Sequence, residues 1–158
     1  MNTLALQFQL VKLRNLNFQE TKMAKFAIVG FYLSINALLF IWLCFKVIGV
    51  RRSEQISIGD GDNQTLSHRM RAQGNASEYM PIFFLLLGAA ATLSTPPLAL
   101  HIFGAAFTIG RILHAYWFLN PSENLKPRVA GMLLTLGSIS ILGVGLLAHS
   151  MVVMAGGY

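Results

Sequence analysis

Four stretches of the chain are apolar enough to cross a membrane, and polar or turn-forming residues separate them. A helix needs about 20 mostly apolar residues to span the hydrocarbon core of a bilayer. The pattern predicts four such helices, at about residues 26–50, 68–93, 98–119 and 128–154. The predicted fold class is therefore an all-α integral membrane protein, a bundle of four transmembrane helices.

Local signals mark the ends of these helices. Residues 53–67 are polar and rich in glycine and aspartate, which predicts a solvated loop. Pro96 and Pro97 predict a very tight turn before the third helix. The second helix is polar in its first half, and Pro81 need not end it, because neighbouring helices can satisfy the freed carbonyl group within a membrane.

The chain divides into an N-terminal extension, residues 1–22, and a membrane domain, residues 23–158. The extension has only a weak apolar pattern, which Lys12, Arg14 and Lys22 interrupt too often for a signal peptide. Two interpretations stay open: the extension is amphipathic or disordered, or translation starts at Met23 and the extension is not made.

Composition agrees with the bilayer as the solvent of this protein. The chain is 54% hydrophobic and 11% charged, with a mean hydropathy of +0.57, which excludes an ordinary soluble domain. The net charge of +6 comes from basic residues beside hydrophobic stretches, so we expect no nucleic-acid partner. Cys44 is the single cysteine and cannot form an intrachain disulfide, and the four histidines are not closely paired, so we expect no metal.

The distribution of lysine and arginine predicts the orientation in the membrane. The loops after the first and third helices and their flanks carry basic residues, whereas the turn at Thr95 has none; these are Arg51, Arg52, Arg69, Arg71, Lys126 and Arg128. Basic loops stay on the cytoplasmic side. Loops one and three are therefore predicted to be cytoplasmic.

Polar residues inside a membrane helix are costly, so each one suggests a function. Arg71, Asn75 and Glu78 follow one another at i, i+4 and i+7, which places all three on one helical face beside Tyr79. A paired arginine and glutamate that only fix helix packing are one interpretation. Three polar groups and a tyrosine together favour a functional site at the cytoplasmic end of this helix.

The third and fourth helices bring further polar groups to the same membrane surface. Arg111 and His114 share a face in the half of the third helix that returns to the cytoplasmic side, and Arg128 begins the fourth helix. Arg128 is also compatible with a simple positive-inside anchor.

Small residues recur on the fourth helix at a seven-residue spacing, at Gly131, Ser138 and Gly145. Such a stripe lets another helix approach closely. The helix that approaches this stripe belongs either to the same chain or to another copy of it. Four helices enclose little interior, so a charged site is more easily completed between copies.

Two motifs resemble those of a known family. The run Arg71-Ala72-Gln73-Gly74-Asn75-Ala76-Ser77-Glu78-Tyr79, followed by Pro81, resembles the start of the second helix in the MAPEG family, the membrane-associated proteins in eicosanoid and glutathione metabolism. The segment Arg111-Ile112-Leu113-His114 looks like the Arg-x-x-His element of the third helix in the same family. The resemblance extends from about Ala24 onward.

This resemblance implies a homotrimer that binds glutathione between neighbouring protomers, near the cytoplasmic surface. By position, it assigns glutathione contacts to Arg71, Asn75, Glu78 and Tyr79. His114 of the third-helix element and Gln73 are further candidates for glutathione contacts. Arg51 or Arg52 resembles the basic position at the end of the first helix and is a candidate for a further carboxylate contact.

The resemblance also implies a reaction. Arg128 matches the position of the arginine that activates the glutathione thiol, and Arg111 is the alternative. The thiolate then attacks a lipophilic electrophile from the bilayer or reduces a lipid hydroperoxide. Phe118 stands where eicosanoid-forming members often have tyrosine, which argues against a specific leukotriene or prostaglandin synthase. The lean loops look like those of bacterial members, which implies the inner membrane, with the endoplasmic reticulum as the eukaryotic alternative.

Two other functions compete with this enzyme. One is a non-catalytic membrane protein that binds lipid or a partner through the same crevice. The other is a proton-coupled multidrug exporter, suggested by four helices and the single membrane carboxylate Glu78. Adjacent arginines neutralise such a carboxylate, which disfavours the exporter.

Overall fold

The computed structural model describes residues 3–93 and 95–157, and these form four α-helices. Helix α1 is Thr3–Ser53, α2 is Gln64–Thr92, α3 is Pro97–Leu119 and α4 is Lys126–Met154. The predicted fold class, an all-α integral membrane bundle of four helices, is confirmed. Helices α1, α3 and α4 contain stretches long and apolar enough to span a membrane; α2 is 29 residues long but has a polar first half.

Helix α1 begins well before the predicted start near residue 26. It runs from Thr3 without a break through the segment assigned to an extension. No glycine or proline occurs between Thr3 and Val29, so nothing in this segment interrupts a helix. Translation from Met23 stays a prediction.

The helix ends agree with local chemistry. Asn63 caps α2, since its side chain accepts a hydrogen bond from the Leu66 backbone N–H at 3.0 Å. Gly59 and Gly61 in the preceding loop have φ angles of 70° and 57°, which favour glycine. Helix α3 starts directly at Pro97, as the predicted tight turn requires.

Helices α2 and α3 form the centre of the bundle. Each of them contacts all three other helices, whereas α1 and α4 do not touch each other in the described part of the chain. Phe83 of α2 and Phe107 of α3 stack with their ring centroids 3.8 Å apart, in the half of the bundle away from loops one and three. Consequently the polar first half of α2 lies beside the end of α3.

The closest helix contact is between α3 and α4. A Cβ atom added to Gly131 would lie 2.6 Å from the Gly110 carbonyl oxygen and 2.8 Å from the His114 backbone nitrogen. Gly131 and the buried Ser138 therefore pack inside the chain, while Gly145 has no atom within 4 Å of such a Cβ. The small-residue stripe is thus used within one chain over its first half.

We expect Gly131→Ala to destabilise the protein by about 1–3 kcal/mol, because the new methyl group meets backbone atoms that cannot move alone. Gly137→Ala is the matched control on the same helix, since open space surrounds its added Cβ. Thermal unfolding in detergent measures both variants. Equal unfolding temperatures for the two variants would contradict the close contact.

Candidate functional site

A groove runs along the polar face of α2. Its volume is about 360 Å³, and its lining residues are Asp60, Ser67, Met70, Arg71, Gly74, Asn75 and Glu78. All but Asp60 belong to α2, at spacings of three and four residues that follow one helical face. The groove lies at the end of the bundle that carries loops one and three.

Arg71 and Glu78 bring opposite charges to this groove without pairing. Both side chains are exposed in the single chain. Neither makes a salt bridge or a side-chain hydrogen bond with any residue that the structure describes. The interpretation of a paired arginine and glutamate that fix helix packing therefore loses its basis. A guanidinium and a carboxylate instead remain available to a ligand.

Asn75 is held in one orientation by Arg111 of α3. The Arg111 Nη1 donates to the Asn75 Oδ1 at 2.8 Å. This bond occupies the amide oxygen and leaves the Nδ2 hydrogens of Asn75 for the groove. The side chain therefore offers hydrogen-bond donors to a ligand, although its residue type alone allows both donors and acceptors.

Arg111 is a buried residue behind the groove. It is 2% exposed, and its Nε and Nη2 donate to the Thr135 Oγ1 of α4 at 2.9 and 2.6 Å. Its guanidinium also lies over the Tyr79 ring, 5.3 Å from the centroid. With its donors engaged and no place in the groove lining, Arg111 is arranged to position Asn75 and Tyr79. It has no open access to a thiol in the single chain.

Arg128 lies outside the groove, on aromatic rings at the end of α3. Its guanidinium is 5.0 Å from the centroid of Trp117 and 5.1 Å from that of Phe118. His114 is buried beside the same rings, 5.0 Å from Phe118 between centroids. His68 of α2 also contacts these two rings, tilted against Trp117 at 6.2 Å and edge-on to Phe118 at 6.1 Å between centroids. Phe118 thus serves as packing surface for two predicted site residues.

The remaining predicted residues, Arg51, Arg52 and Gln73, do not line the groove. Arg51 donates to the backbone carbonyls of loop one and to the Met70 sulfur at 3.4 Å, and Met70 lines the groove. Arg52 is exposed beside it, in a separate surface pocket. Gln73 is half-buried and does not line the groove.

Two residues of this arrangement are absent from the sequence-based set. Thr135 is completely buried and accepts both Arg111 bonds, while its own hydroxyl donates to the Gly131 carbonyl at 2.8 Å. A hydroxyl residue inside an apolar helix, four positions after a glycine, was the available signal. Asp60 reaches the groove from loop one, where only its polar, glycine-rich surroundings marked it.

Comparison with known proteins adds two findings. The MAPEG family model matches residues 29–148, which is more than half of the chain and includes both motifs described above. The chain is also similar to the inner membrane protein YecN of Escherichia coli strain K12 and of strain O6:H1 CFT073, 32% identical to each over 87 residues. That similarity covers 55% of this chain and 66% of each relative, just under two thirds of their length.

Proposed function

The chain belongs to the MAPEG family, and from this premise we propose that it is a membrane glutathione transferase or peroxidase. In this proposal it activates the glutathione thiol for attack on lipophilic electrophiles or lipid hydroperoxides. The observation that carries the proposal is that two opposite charges, Arg71 and Glu78, lie on either side of the Asn75 amide in one groove without forming an ion pair.

Glutathione has chemical groups that suit this groove. Its carboxylates pair with a guanidinium in bidentate fashion, which Arg71 offers. Its α-ammonium pairs with the Glu78 carboxylate. Its carbonyl oxygens accept hydrogen bonds from Asn75, whose amide Arg111 has already oriented. An oriented amide loses less conformational entropy on binding, which strengthens its hydrogen bond to a glutathione carbonyl.

A homotrimer is part of the proposal. Glu78 lies nine residues beyond Arg69, about 14 Å along the helix, and a carboxylate that faces lipid at such depth is costly. The same face of α2 continues in Leu85, whose side chain is 72% exposed. Contact with α2 of another copy covers both residues. In this assembly glutathione is held between protomers.

The chemistry requires the glutathione thiolate. A thiol with a pKa of about 8.5 is roughly 3% ionised at pH 7, and only the thiolate is a good nucleophile. In the proposal Arg128 stabilises the thiolate, as the arginine of a neighbouring protomer rather than of the protomer whose α2 forms the groove. In the single chain its guanidinium lies on the Trp117 and Phe118 rings, at the same end of the bundle as the groove.

Two reactions follow from a bound thiolate. In a transfer reaction the sulfur forms a bond to an electrophilic carbon of the lipophile, and the leaving group departs with the electron pair. In a peroxidase reaction the sulfur attacks the hydroperoxide, which gives an alcohol and a glutathione sulfenic acid. A second glutathione then condenses with the sulfenic acid to give the disulfide and water.

The relatives support a location for this activity. They are described as inner membrane proteins, and the same location is proposed for this chain. The distribution of lysine and arginine favours a cytoplasmic position for loops one and three, so in this proposal the groove faces the cytoplasm, where glutathione is available.

The test of the enzyme proposal separates thiol activation from binding. We expect Arg128→Ala to abolish the ultraviolet thiolate absorbance of bound glutathione while calorimetry still detects binding. Lys126→Ala is the control, because Lys126 is an exposed cation at the start of the same helix. Unchanged thiolate absorbance in Arg128→Ala would remove Arg128 from the mechanism.

A second candidate function rests on the position of Arg128 outside the groove. In that case the protein binds lipid or a partner through the crevice and has no catalytic role. Glutathione binding without any thiolate signal in the wild-type protein favours this second function.

A further inference from the structure

Arg128 lies in a corner formed by two aromatic rings. Its guanidinium is over both of them, 5.0 Å from the centroid of Trp117 and 5.1 Å from that of Phe118. The two rings meet at an interplanar angle of 90°, with their centroids 5.1 Å apart, and both side chains are buried. Two perpendicular rings restrict the movement of the guanidinium in two directions, although Arg128 itself is an exposed residue.

Hydrogen bonds and packing hold the indole ring of Trp117 in place. Its Nε1 shares one hydrogen between two backbone carbonyls of loop three, that of Ser122 at 3.2 Å and that of Asn124 at 3.1 Å. His68 of α2 packs against the same ring, with the centroids 6.2 Å apart. The ring is therefore fixed both by the loop that leads into α4 and by a neighbouring helix. A side chain that rests on a fixed ring is held in a defined place.

The two rings hold Arg128 without neutralising its charge. Arg128 makes no ion pair and no side-chain hydrogen bond with any residue that the structure describes. An aromatic face attracts a guanidinium through its quadrupole and adds no negative charge, whereas a carboxylate in this place would cancel the charge that favours a thiolate. The N–H groups of Arg128 also stay free. Those of Arg111, in contrast, are engaged with Asn75 and Thr135.

We propose that Trp117 is a positioning residue, whose ring face holds the Arg128 guanidinium where its free N–H groups reach the thiolate of glutathione bound between protomers. Phe118 supplies the second face. This role rests on the proposed function, since it requires bound glutathione and Arg128 in the mechanism. Trp117 touches neither glutathione nor the reacting sulfur in this proposal, and it acts through Arg128 alone.

The experiment titrates the ultraviolet thiolate absorbance of bound glutathione against pH, on the full chain in detergent. Without the Trp117 face the guanidinium leaves its place for part of the time and stabilises the thiolate less. We expect Trp117→Leu to raise the midpoint of the titration by about half a pH unit, which corresponds to one cation–π contact at an exposed site. Calorimetry should still detect glutathione binding. Trp117→Phe keeps an aromatic face and loses the N–H anchor, so its midpoint should lie between the two.

A double variant separates positioning from a general structural role. Arg128→Ala should move the midpoint to about 8.5, the value of an unactivated thiol. Adding Trp117→Leu to Arg128→Ala should change nothing further, because Trp117 then has no cation to hold. Trp42→Leu is the matched control, since Trp42 is the other tryptophan of the chain and has the Lys46 Nζ 5.2 Å from its ring centroid. It loses an indole and a cation–π contact on α1 and should keep the wild-type midpoint.

An unchanged midpoint in a folded Trp117→Leu variant would overturn the role of Trp117 and leave the glutathione proposal standing. A further rise when Trp117→Leu is added to Arg128→Ala would overturn it as well. Phe118→Leu removes the other ring face and provides the test if leucine at position 117 prevents folding. We expect it to raise the midpoint too, and an unchanged midpoint has the same meaning there. A wild-type protein that binds glutathione without any thiolate signal at pH 7 would instead refute the enzyme proposal, and the role of Trp117 with it.

Discussion

Glu78→Gln is expected to weaken glutathione binding about tenfold to a hundredfold. The substitution keeps the size of the side chain and removes its charge, so the α-ammonium of glutathione loses a charge-assisted hydrogen bond of about 1.5–3 kcal/mol. Glu78 has no ion-pair partner among the described residues, so the substitution leaves no cation of the protein unpaired. Isothermal titration calorimetry in detergent measures the effect.

The control for this variant is Glu123→Gln, since Glu123 is an exposed carboxylate in loop three. It should bind glutathione like the wild-type protein. A Glu78→Gln variant that elutes as the wild-type assembly and binds with unchanged affinity would refute the proposed role of the carboxylate. If it elutes differently, Glu78 contributes to assembly, and the affinity is then compared per intact assembly.

Thr135→Val is expected to cost about 2–4 kcal/mol of stability, because it leaves two donors of the buried Arg111 guanidinium without their acceptor. Thr108→Val is a closely matched control. Both threonines are buried and donate to the carbonyl four residues before them, but Thr108 accepts from the neutral Asn36. The control should cost about 1 kcal/mol.

The same pair of variants tests whether Arg111 positions Asn75. Valine at position 135 frees the guanidinium to move, so the Asn75 amide loses its fixed orientation and glutathione affinity falls. Valine at position 108 leaves affinity unchanged. Thermal unfolding and calorimetry on both variants give the two readouts. Equal losses of stability in both variants would show that the charge on Arg111 is not what Thr135 stabilises.

The spacing of polar residues predicted a substantial part of the groove. Arg71, Asn75 and Glu78 line one groove because a helix repeats every 3.6 residues, which sequence alone provides. The approximate helix ranges followed from hydrophobic length, and the start of α3 followed from Pro97. The roles of Arg71, Asn75 and Glu78 in glutathione binding rest on the family and on chemistry, and they stay predictions.

The spacing of residues along the sequence did not predict the contacts between helices. Arg111 meets Asn75 and Thr135 because α3 and α4 approach closely where Gly110 and Gly131 face each other. This close approach depends on which helix each small residue faces. A seven-residue spacing of small residues does not say which helix packs against them. For this reason the sequence suggested a possible catalytic role for Arg111, whereas its burial favours a positioning role.

The start of α1 and the hydrogen bonds of the buried Asn36 illustrate two further limits of prediction from the sequence. A weak apolar pattern does not mark a helix end when no glycine or proline interrupts the chain, so α1 continues from Thr3. Asn36 was only one polar interruption in an apolar stretch. Its unpaired oxygen depends on the hydrogen bonds of Tyr32 and Thr108, which belong to the tertiary structure.

The central claim is that the α2 groove binds glutathione, and calorimetric titration of the wild-type protein in detergent with glutathione tests it most directly. The account predicts saturable binding by millimolar glutathione, together with a thiolate absorbance of the bound tripeptide at pH 7. No heat of binding at that concentration would contradict the glutathione function and leave lipid or partner binding as the role of the crevice.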